Sequence, residues 1–90
     1  MKEIIREAAA GTVESSDALV QIMPADSLEL EIESVVLPQY GEAIRAAALE
    51  TLGGLGVTKA HVRILDRGAL DCVIRARVET AALRASEVEA

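Results

Sequence analysis

The sequence predicts an α+β domain: a four-stranded, mainly antiparallel sheet with two helices on one face, in the order β-β-α-β-β-α. Three observations predict it. Residues 28–33 alternate strictly between apolar side chains and glutamates, which is the period of a strand. Apolar residues recur at helical spacing over residues 38–52, and residues 75–86 are rich in good helix formers. With 90 residues, the chain has the length of one domain, residues 1–90.

The N-terminal part is predicted to contain a hairpin. Residues 1–9 form a loose arm or a short helix, to which we assign no function. Two β-prone runs follow, at residues 11–14 and 18–23, and the polar Ser15–Asp17 between them is typical of an exposed turn. Pro24 should end the second strand, because proline cannot donate a hydrogen bond to a sheet ladder.

The middle of the chain carries the clearest patterns. Leu28–Glu33 should form a strand with one wet face of glutamates, which is more often a solvated surface than a docking surface for a basic partner. Pro38 suits the first turn of a helix, and Gly53 and Gly54 should end that helix.

The C-terminal part is ambiguous at one place. Residues 61–65 indicate a strand, and residues 66–68 a tight turn. Apolar residues in 70–74 fit a strand and a helix equally well, and the hairpin-like turn favours a strand to about residue 74. A helix over 75–86 and a fraying tail over 87–90 complete the chain.

Composition excludes several classes of function. Nine basic and fifteen acidic residues give a net charge of −6, and Tyr40 is the lone aromatic residue, so nucleic-acid binding is not expected. The single cysteine, Cys72, rules out an intramolecular disulfide and favours a reducing compartment. The N-terminus is charged and no apolar run has the length of a membrane span. We therefore expect a cytoplasmic protein without membrane contact.

Catalytic and metal chemistry are also poorly supported. His61 stands alone, and Cys72, most simply a small buried apolar residue, has no partner cysteine, so we predict no metal site. There is no Gly-x-Ser-x-Gly motif, and the glycines of segment 53–56 lack the Lys-Ser/Thr of a phosphate loop. We therefore predict no catalytic residue. Serine hydroxyls remain as covalent attachment points on a carrier.

Two places offer such a serine. Ser27 lies in an Asp-Ser-Leu triplet that resembles the phosphopantetheine site of fatty-acid-type acyl carrier proteins. Those proteins place the serine at the start of a helix, whereas Leu28 opens a predicted strand. The other place is the turn with Ser15 and Ser16. Its physical chemistry alone does not favour one hydroxyl over the other.

Segment 11–17, Gly-Thr-Val-Glu-Ser-Ser-Asp, resembles the Gly-Thr-Leu-Glu-Ser-(Ser/Gly)-Asp segment of the acyl carrier (γ) subunit of citrate lyase. Segment 32–45 is similar to that family's Ser-x-Val-x-x-Gln-(Phe/Tyr)-Gly-Asp-Ala-Ile-Arg run. Segment 66–79 is similar to its Asp-Lys-Gly-Ala-Leu-Asp-Cys-x-x-Arg-Ala-Arg-x-Glu run. Together the similar segments cover most of residues 10–85 in the right order and spacing.

The resemblance implies that the serine directly after Glu14 is modified. Ser15 would then carry a phosphoribosyl-dephospho-coenzyme A arm through a phosphodiester, derived from 2′-(5″-triphosphoribosyl)-3′-dephospho-coenzyme A. Glu14 and Asp17 would help the modifying enzyme to recognise the turn. The arm would hold acetyl and citryl thioesters during cleavage of citrate to acetate and oxaloacetate.

The implied partners are the transferase (α) and lyase (β) subunits of citrate lyase, the prosthetic-group transferase and an acetylating ligase. The chain itself would be a non-catalytic carrier. Two alternatives stay open: the carrier subunit of malonate decarboxylase, and a non-carrier interaction module with an acidic surface. The Gly-Ala-Leu-Asp-Cys run at residues 68–72 favours citrate lyase.

Overall fold

The computed structural model of the protein describes residues 3–35 and 37–86. Its elements follow one another in the order β-β-β-α-β-α. They are strands β1 (Ala8–Gly11), β2 (Ala18–Met23) and β3 (Leu28–Ser34), helix α1 (Leu37–Leu55), strand β4 (Ala60–Asp66) and helix α2 (Asp71–Ser86).

The four strands form one sheet in the order β1-β2-β4-β3. Strand β2 is antiparallel to both of its neighbours, whereas β3 and β4 run parallel. The parallel pair arises because α1 lies between these strands in the chain and returns it to the same end of the sheet. The predicted α+β class, the four-stranded, mainly antiparallel sheet and the two helices are confirmed, but the predicted order β-β-α-β-β-α is wrong.

Both helices pack on one face of the sheet and contact each other there. Alternate residues of the two central strands point into this interface and are buried. The core is aliphatic and rich in alanine, which lets the helices approach the sheet closely. It includes Val20, Ile22, Val62 and Ile64 from the sheet, Ile44, Ala47, Ala48 and Leu52 from α1, and Ile74, Val78, Ala81, Ala82 and Ala85 from α2.

The predicted strand over residues 70–74 is wrong, because residues 71–74 form the start of α2. Strand β4 already pairs with β2 on one side and β3 on the other, so no edge of β4 is free for a returning strand. The helical alternative also buries Ile74, and it brings the Asp71 carboxylate within 2.6 Å of Arg75 Nε, one turn later. Cys72 consequently lies exposed in the first turn of α2 and is not the buried residue we expected.

The N-terminal segment is attached to the fold and is not a loose arm. Ile4 is buried, and the backbone N–H groups of Ile5 and Arg6 donate to the Ala85 carbonyl at the end of α2. The first strand therefore begins at Ala8 and ends at Gly11, three residues earlier than predicted. Residues 1–2 of the predicted arm and the predicted tail, 87–90, lie outside the described residues.

Helix α1 extends past the predicted glycine stop at Gly53 and ends at Leu55. The chain leaves the helix through Gly56, whose φ of 76° is in the left-handed region. Gly56 N–H donates to the Gly53 carbonyl at 3.1 Å, and Val57 N–H donates to the Leu52 carbonyl at 3.0 Å. This pair of bonds is a Schellman motif, which satisfies the last carbonyls of the helix.

Candidate functional site

The connection between β1 and β2 contains the two candidate serines. The Asp17 N–H donates to the Glu14 carbonyl at 3.1 Å, which closes a four-residue turn with Ser15 and Ser16 in the middle. The φ of Ser16 is 66°, and Ser16 is the non-glycine residue with positive φ among those described. A negative φ followed by a positive one is the sign pattern of a type II turn. Glycine is favoured at the Ser16 position of such a turn, which fits the Ser/Gly choice in the similar family segment.

Ser15 lies at the outer corner of this turn. Its side chain is exposed, and within the described part of the chain its hydroxyl makes no hydrogen bond. The predicted turn at residues 15–17 is therefore confirmed, with its exposed part at Ser15 and Ser16 and a largely covered Asp17 side chain. Ser16 is exposed as well, so exposure alone does not distinguish the two hydroxyls. Modification of Ser15 in preference to Ser16 stays a prediction.

The Asp17 carboxylate holds the turn to helix α2. Arg77 donates to it through two nitrogens, Nε to Oδ1 and Nη2 to Oδ2, each at 3.0 Å. Thr12 Oγ1 donates to Oδ2 at 2.7 Å, and the Ala18 N–H donates to Oδ1 at 2.8 Å. Two parallel bonds from one guanidinium fix both the distance and the orientation of the carboxylate. The turn thereby depends on a residue sixty positions further along the chain.

This arrangement favours the charged form of Asp17. The hydrogen bond from Arg77, then those from Thr12 and the Ala18 backbone, lowers the pKa of the carboxyl from 3.8 to about 2. The Asp17 side chain is 16% exposed and faces Arg77 and Thr12. Its carboxylate therefore supports the shape of the turn, whereas Glu14 is exposed to solvent. The role we predicted for both residues in enzyme recognition stays a prediction.

Gly11 allows the turn to lie close to α2. Its φ is 98°, and a Cβ at this position would come within 1.8 Å of the Ala18 carbonyl oxygen and 3.0 Å of Arg77 Cδ. No side chain fits between the first two strands and the Arg77 side chain. Gly11 is thus a requirement of both the hairpin and the Arg77–Asp17 contact.

The loop between β4 and α2 supports the turn from the other side. The Ser16 N–H donates to the Arg67 carbonyl at 2.8 Å, and the Arg67 N–H donates to the Asp17 carbonyl at 2.9 Å. Asp66 anchors this loop: its side chain is buried and accepts bonds from Ser34 Oγ at 2.7 Å and from the Ala69 N–H at 2.9 Å. The backbone around Ser15 is therefore fixed by α2 on one side and by an anchored loop on the other.

The other residues considered from sequence lie elsewhere. Ser27 is exposed at the opposite end of the sheet and precedes a strand rather than a helix, unlike the serine of the fatty-acid-type carriers. His61 lies on the open face of the sheet, with Nδ1 at 2.9 Å from Glu29 and Nε2 at 3.4 Å from Glu31. Among residues 3–35 and 37–86, no group of three or more histidine, cysteine or acidic side chains could hold a metal ion.

Three residues of the site had no assigned role from sequence: Gly11, Thr12 and Arg77. All three lie within segments similar to the citrate lyase carrier family, but their contacts are not visible from spacing. The sequence did not indicate the partner of Arg77, because Asp17 lies sixty positions earlier in the chain. Neither of the two described helices has the length and hydrophobicity of a membrane span.

Residues 5–85 match the family model described as ACP: Malonate decarboxylase delta subunit (MdcD). The protein is thus an acyl carrier, a non-catalytic subunit of an enzyme complex, as its relatives confirm. The citrate lyase acyl carrier protein of Escherichia fergusonii is 56% identical over 87 residues, covering 94% of this chain and 90% of its own length. That of Haemophilus influenzae (strain PittEE) is 53% identical over 85 residues, with the same coverage.

The citrate lyase acyl carrier protein of Albidiferax ferrireducens is 55% identical over 84 residues, covering 91% of this chain and 86% of its own length. At this identity and coverage, the chain belongs to the citrate lyase acyl carrier protein family. A chain in the crystal structure of a Pseudomonas malonate decarboxylase hetero-tetramer in complex with malonate has the same fold. Its TM-score is 0.75 at 23% identity, and the match covers 93% of this chain and 91% of that one.

Proposed function

We propose that the protein is the acyl carrier subunit of citrate lyase, and that Ser15 carries the phosphoribosyl-dephospho-coenzyme A arm through a phosphodiester. The observation that supports the proposal most directly is the exposed Ser15 hydroxyl without a hydrogen bond in the described residues, on a backbone held by Arg77 and Arg67. The named relatives at 53–56% identity point to citrate as the substrate of the complex.

The residues around Ser15 fit a covalently attached group. Attachment requires a hydroxyl that a transferase can reach, and the exposed Ser15 side chain meets this need. Its deprotonated oxygen would attack the ribose-proximal phosphorus of the triphosphoribosyl precursor, and the phosphodiester would form as the phosphoanhydride bond breaks and pyrophosphate leaves. When attached, the group supplies a terminal thiol that holds acetyl or citryl as a thioester. The chain contributes the fixed root of the arm and no bond-breaking step.

Tethering explains how a chain without catalytic residues accelerates the reaction. An arm fixed at one point raises the concentration of its thioester at neighbouring active sites to roughly the millimolar range. The Asp17–Arg77 contact and the two backbone bonds to Arg67 keep that fixed point in one place. The proposed partners are the α (transferase) and β (lyase) subunits, the prosthetic-group transferase and the acetylating ligase, in the cytoplasm.

A second candidate function is the carrier subunit of malonate decarboxylase, which the description of the matching family model favours. The identity to a chain of the Pseudomonas decarboxylase is 23%, against 56% to the citrate lyase carrier of Escherichia fergusonii. Reconstitution with the companion subunits of each complex separates the two. Citrate-dependent formation of oxaloacetate supports the first function, and malonate-dependent release of carbon dioxide supports the second.

Intact-mass measurement tests the carrier role itself. The protein is co-expressed with the enzymes that make the triphosphoribosyl precursor and attach it. We expect a mass increase equal to one phosphoribosyl-dephospho-coenzyme A, no increase in Ser15→Ala, and the normal increase in Ser16→Ala and Ser27→Ala. An unmodified wild type would refute the carrier function. If only Ser27→Ala failed to gain the mass, Ser27 in the Asp-Ser-Leu triplet would be identified as the attachment site.

A further inference from the structure

A groove of about 370 Å³ opens beside the Ser15 turn. It lies between the first turns of α1 and α2 and is closed at its base by the β4–α2 loop. Its lining includes Tyr40 and Ile44 from α1, Leu70 from the loop and Ile74 from α2. We call it the Tyr40–Leu70 groove. Its volume lies within the range of small-ligand sites in proteins.

The groove and the Ser15 turn share one loop. The Arg67 carbonyl accepts the hydrogen bond from the Ser16 N–H, and Gly68, the next residue, already lines the groove. One residue step is about 3.8 Å, so the groove begins within about 10 Å of the turn. A group attached at Ser15 therefore reaches the groove without any change in the fold.

The lining indicates what kind of ligand fits. Ile44 and Ile74 form a buried apolar floor, whereas Tyr40 is 56% and Leu70 is 70% exposed at the rim. The exposed side chains at the rim add apolar surface that a ligand in the groove can bury.

The charges at the groove exclude part of the arm. Asp66 and Asp71 line it, and no lysine or arginine does among the described residues. The oxygens of Asp66 accept hydrogen bonds from Ser34 and Ala69, and the Asp71 carboxylate pairs with Arg75. Phosphates and carboxylates would therefore find no cationic partner in this lining. An uncharged chain with amide groups, ending in a thiol or a small neutral acyl group, needs none.

We propose that the Tyr40–Leu70 groove binds the uncharged, thiol-bearing end of the arm on Ser15 in its free or acetylated form. The inference rests on the carrier function proposed above. Because the ligand is tethered at roughly millimolar effective concentration, an intrinsic affinity in the millimolar range is enough to occupy the groove. Such weak binding leaves the arm free to transfer to a partner subunit, and a citryl group with its carboxylates does not enter.

Nuclear magnetic resonance on the intact protein tests this. Amide shifts are compared between unmodified protein and protein whose attached arm has been verified by intact mass. We expect shift changes at residues 14–17 and also at Ala43, Gly68, Leu70 and Ile74. Changes confined to residues 14–17, or changes at the groove that require the companion subunits, would overturn the proposal. An absent mass increase would instead refute the carrier function, so the two failures are distinguishable.

A groove-filling variant provides the second measurement. Ala43→Phe places a ring in the groove, and Ala46→Phe places the same ring on an exposed part of α1 outside it. Both variants are made in a Cys72→Ser background, because Cys72 is itself exposed. Alkylation of the arm thiol by iodoacetamide should be about two- to tenfold faster in Ala43→Phe than in Ala46→Phe, since the tethered end is docked for half or more of the time. Equal rates in the two variants would overturn the proposal.

Discussion

Ser15 and Ser27 are both exposed serines in connections between strands, and they lie at opposite ends of the sheet. The backbone around Ser15 is fixed by the Arg77–Asp17 contact and by two hydrogen bonds to Arg67. At Ser27, the described contact is a single bond from the Ala60 N–H to the Ser27 carbonyl. Each serine has an aspartate nearby in sequence, Asp17 and Asp26, so local sequence alone does not separate the two sites.

Exposure does not separate the two serines, and what separates them in the structure is that contacts from α2 and the β4–α2 loop fix the backbone around Ser15. A transferase must align a hydroxyl with a phosphate, and a preorganised turn lowers the cost of that alignment. If the contrast between the two serines is real, changes in the contacts around Ser15 should affect attachment, and matched changes elsewhere should not. We expect the following effects, from the largest to the smallest.

Gly11→Ala should have the largest effect. The new Cβ would overlap the Ala18 carbonyl oxygen in a residue whose φ is 98°, so the first two strands must move apart. We expect a loss of about 3 kcal/mol or more in the free energy of unfolding, from positive φ and steric overlap together. Urea denaturation measures it.

Gly68→Ala is the control, because the φ of Gly68 is 89° and no atom lies within 4 Å of its Cβ position. We expect a loss of about 1 kcal/mol in this variant. Equal losses of stability in Gly11→Ala and Gly68→Ala would contradict the steric explanation for Gly11.

Arg77→Leu should slow attachment to Ser15 by about 10- to 100-fold, because the turn loses its bidentate support and small displacements of a reacting group are costly. Mass spectrometry at timed intervals with the prosthetic-group transferase measures the rate. Arg75→Leu is the matched control: it lies on the same helix with a similar side-chain exposure, 40% against 38%, but pairs with Asp71. Arg77→Lys should not restore the full rate, because lysine cannot form two parallel bonds. A normal rate of attachment in Arg77→Leu would show that the turn forms without the Arg77–Asp17 contact.

The lowered pKa of the Asp17 carboxyl predicts that the stability of the fold depends on pH. Its pKa in the folded state is about 2, below the ordinary value of 3.8, so the charged form is favoured by folding. The stabilisation is fully present above the unfolded pKa and is lost as the pH falls from about 5 towards 2. Asp17→Asn should therefore be less stable than the wild type at pH 7, with the difference shrinking over this window. Urea denaturation at several pH values measures it, and a difference that stays constant from pH 7 to pH 2 would contradict the prediction.

Ser16→Gly should have the smallest effect. Glycine relieves the positive φ of 66° at this position, but it also loses more conformational entropy on folding. The two contributions are of similar size, so we expect the free energy of unfolding to change by less than about 0.5 kcal/mol. Attachment should proceed at the normal rate. A loss of attachment would instead identify the Ser16 hydroxyl as the modified group.

Several elements were predictable from the sequence because their patterns are local. Strand β2 was predicted with its observed bounds, and β3 within one residue, since alternating burial leaves a direct trace in residue type. Strand β1 was misplaced because Ala8–Ala10 have little β propensity. Their small side chains instead suit a strand lying under α2, where Arg84 Nη1 donates to the Ala9 carbonyl at 2.8 Å. Tertiary packing overrode local preference there.

The candidate site was predictable in part for the same reason. A polar turn with an exposed serine follows from local turn chemistry, and the structure has that turn. Its support does not follow, because the partner of Asp17 is Arg77, in a helix whose first residues fitted a strand equally well. The helical state of residues 71–74 depends on both edges of β4 being occupied, which only the assembled sheet reveals.

The Arg77–Asp17 contact also sets an order of events in the life of the molecule. Residues 11–17 leave the ribosome long before residue 77, and until α2 has docked the same seven residues have neither the guanidinium nor the Arg67 backbone to hold them. We expect a synthetic peptide of residues 8–23 to be a poor substrate for the prosthetic-group transferase. If Ser15 carries the proposed arm, the coenzyme derivative would be attached only to chains in which α2 has already folded.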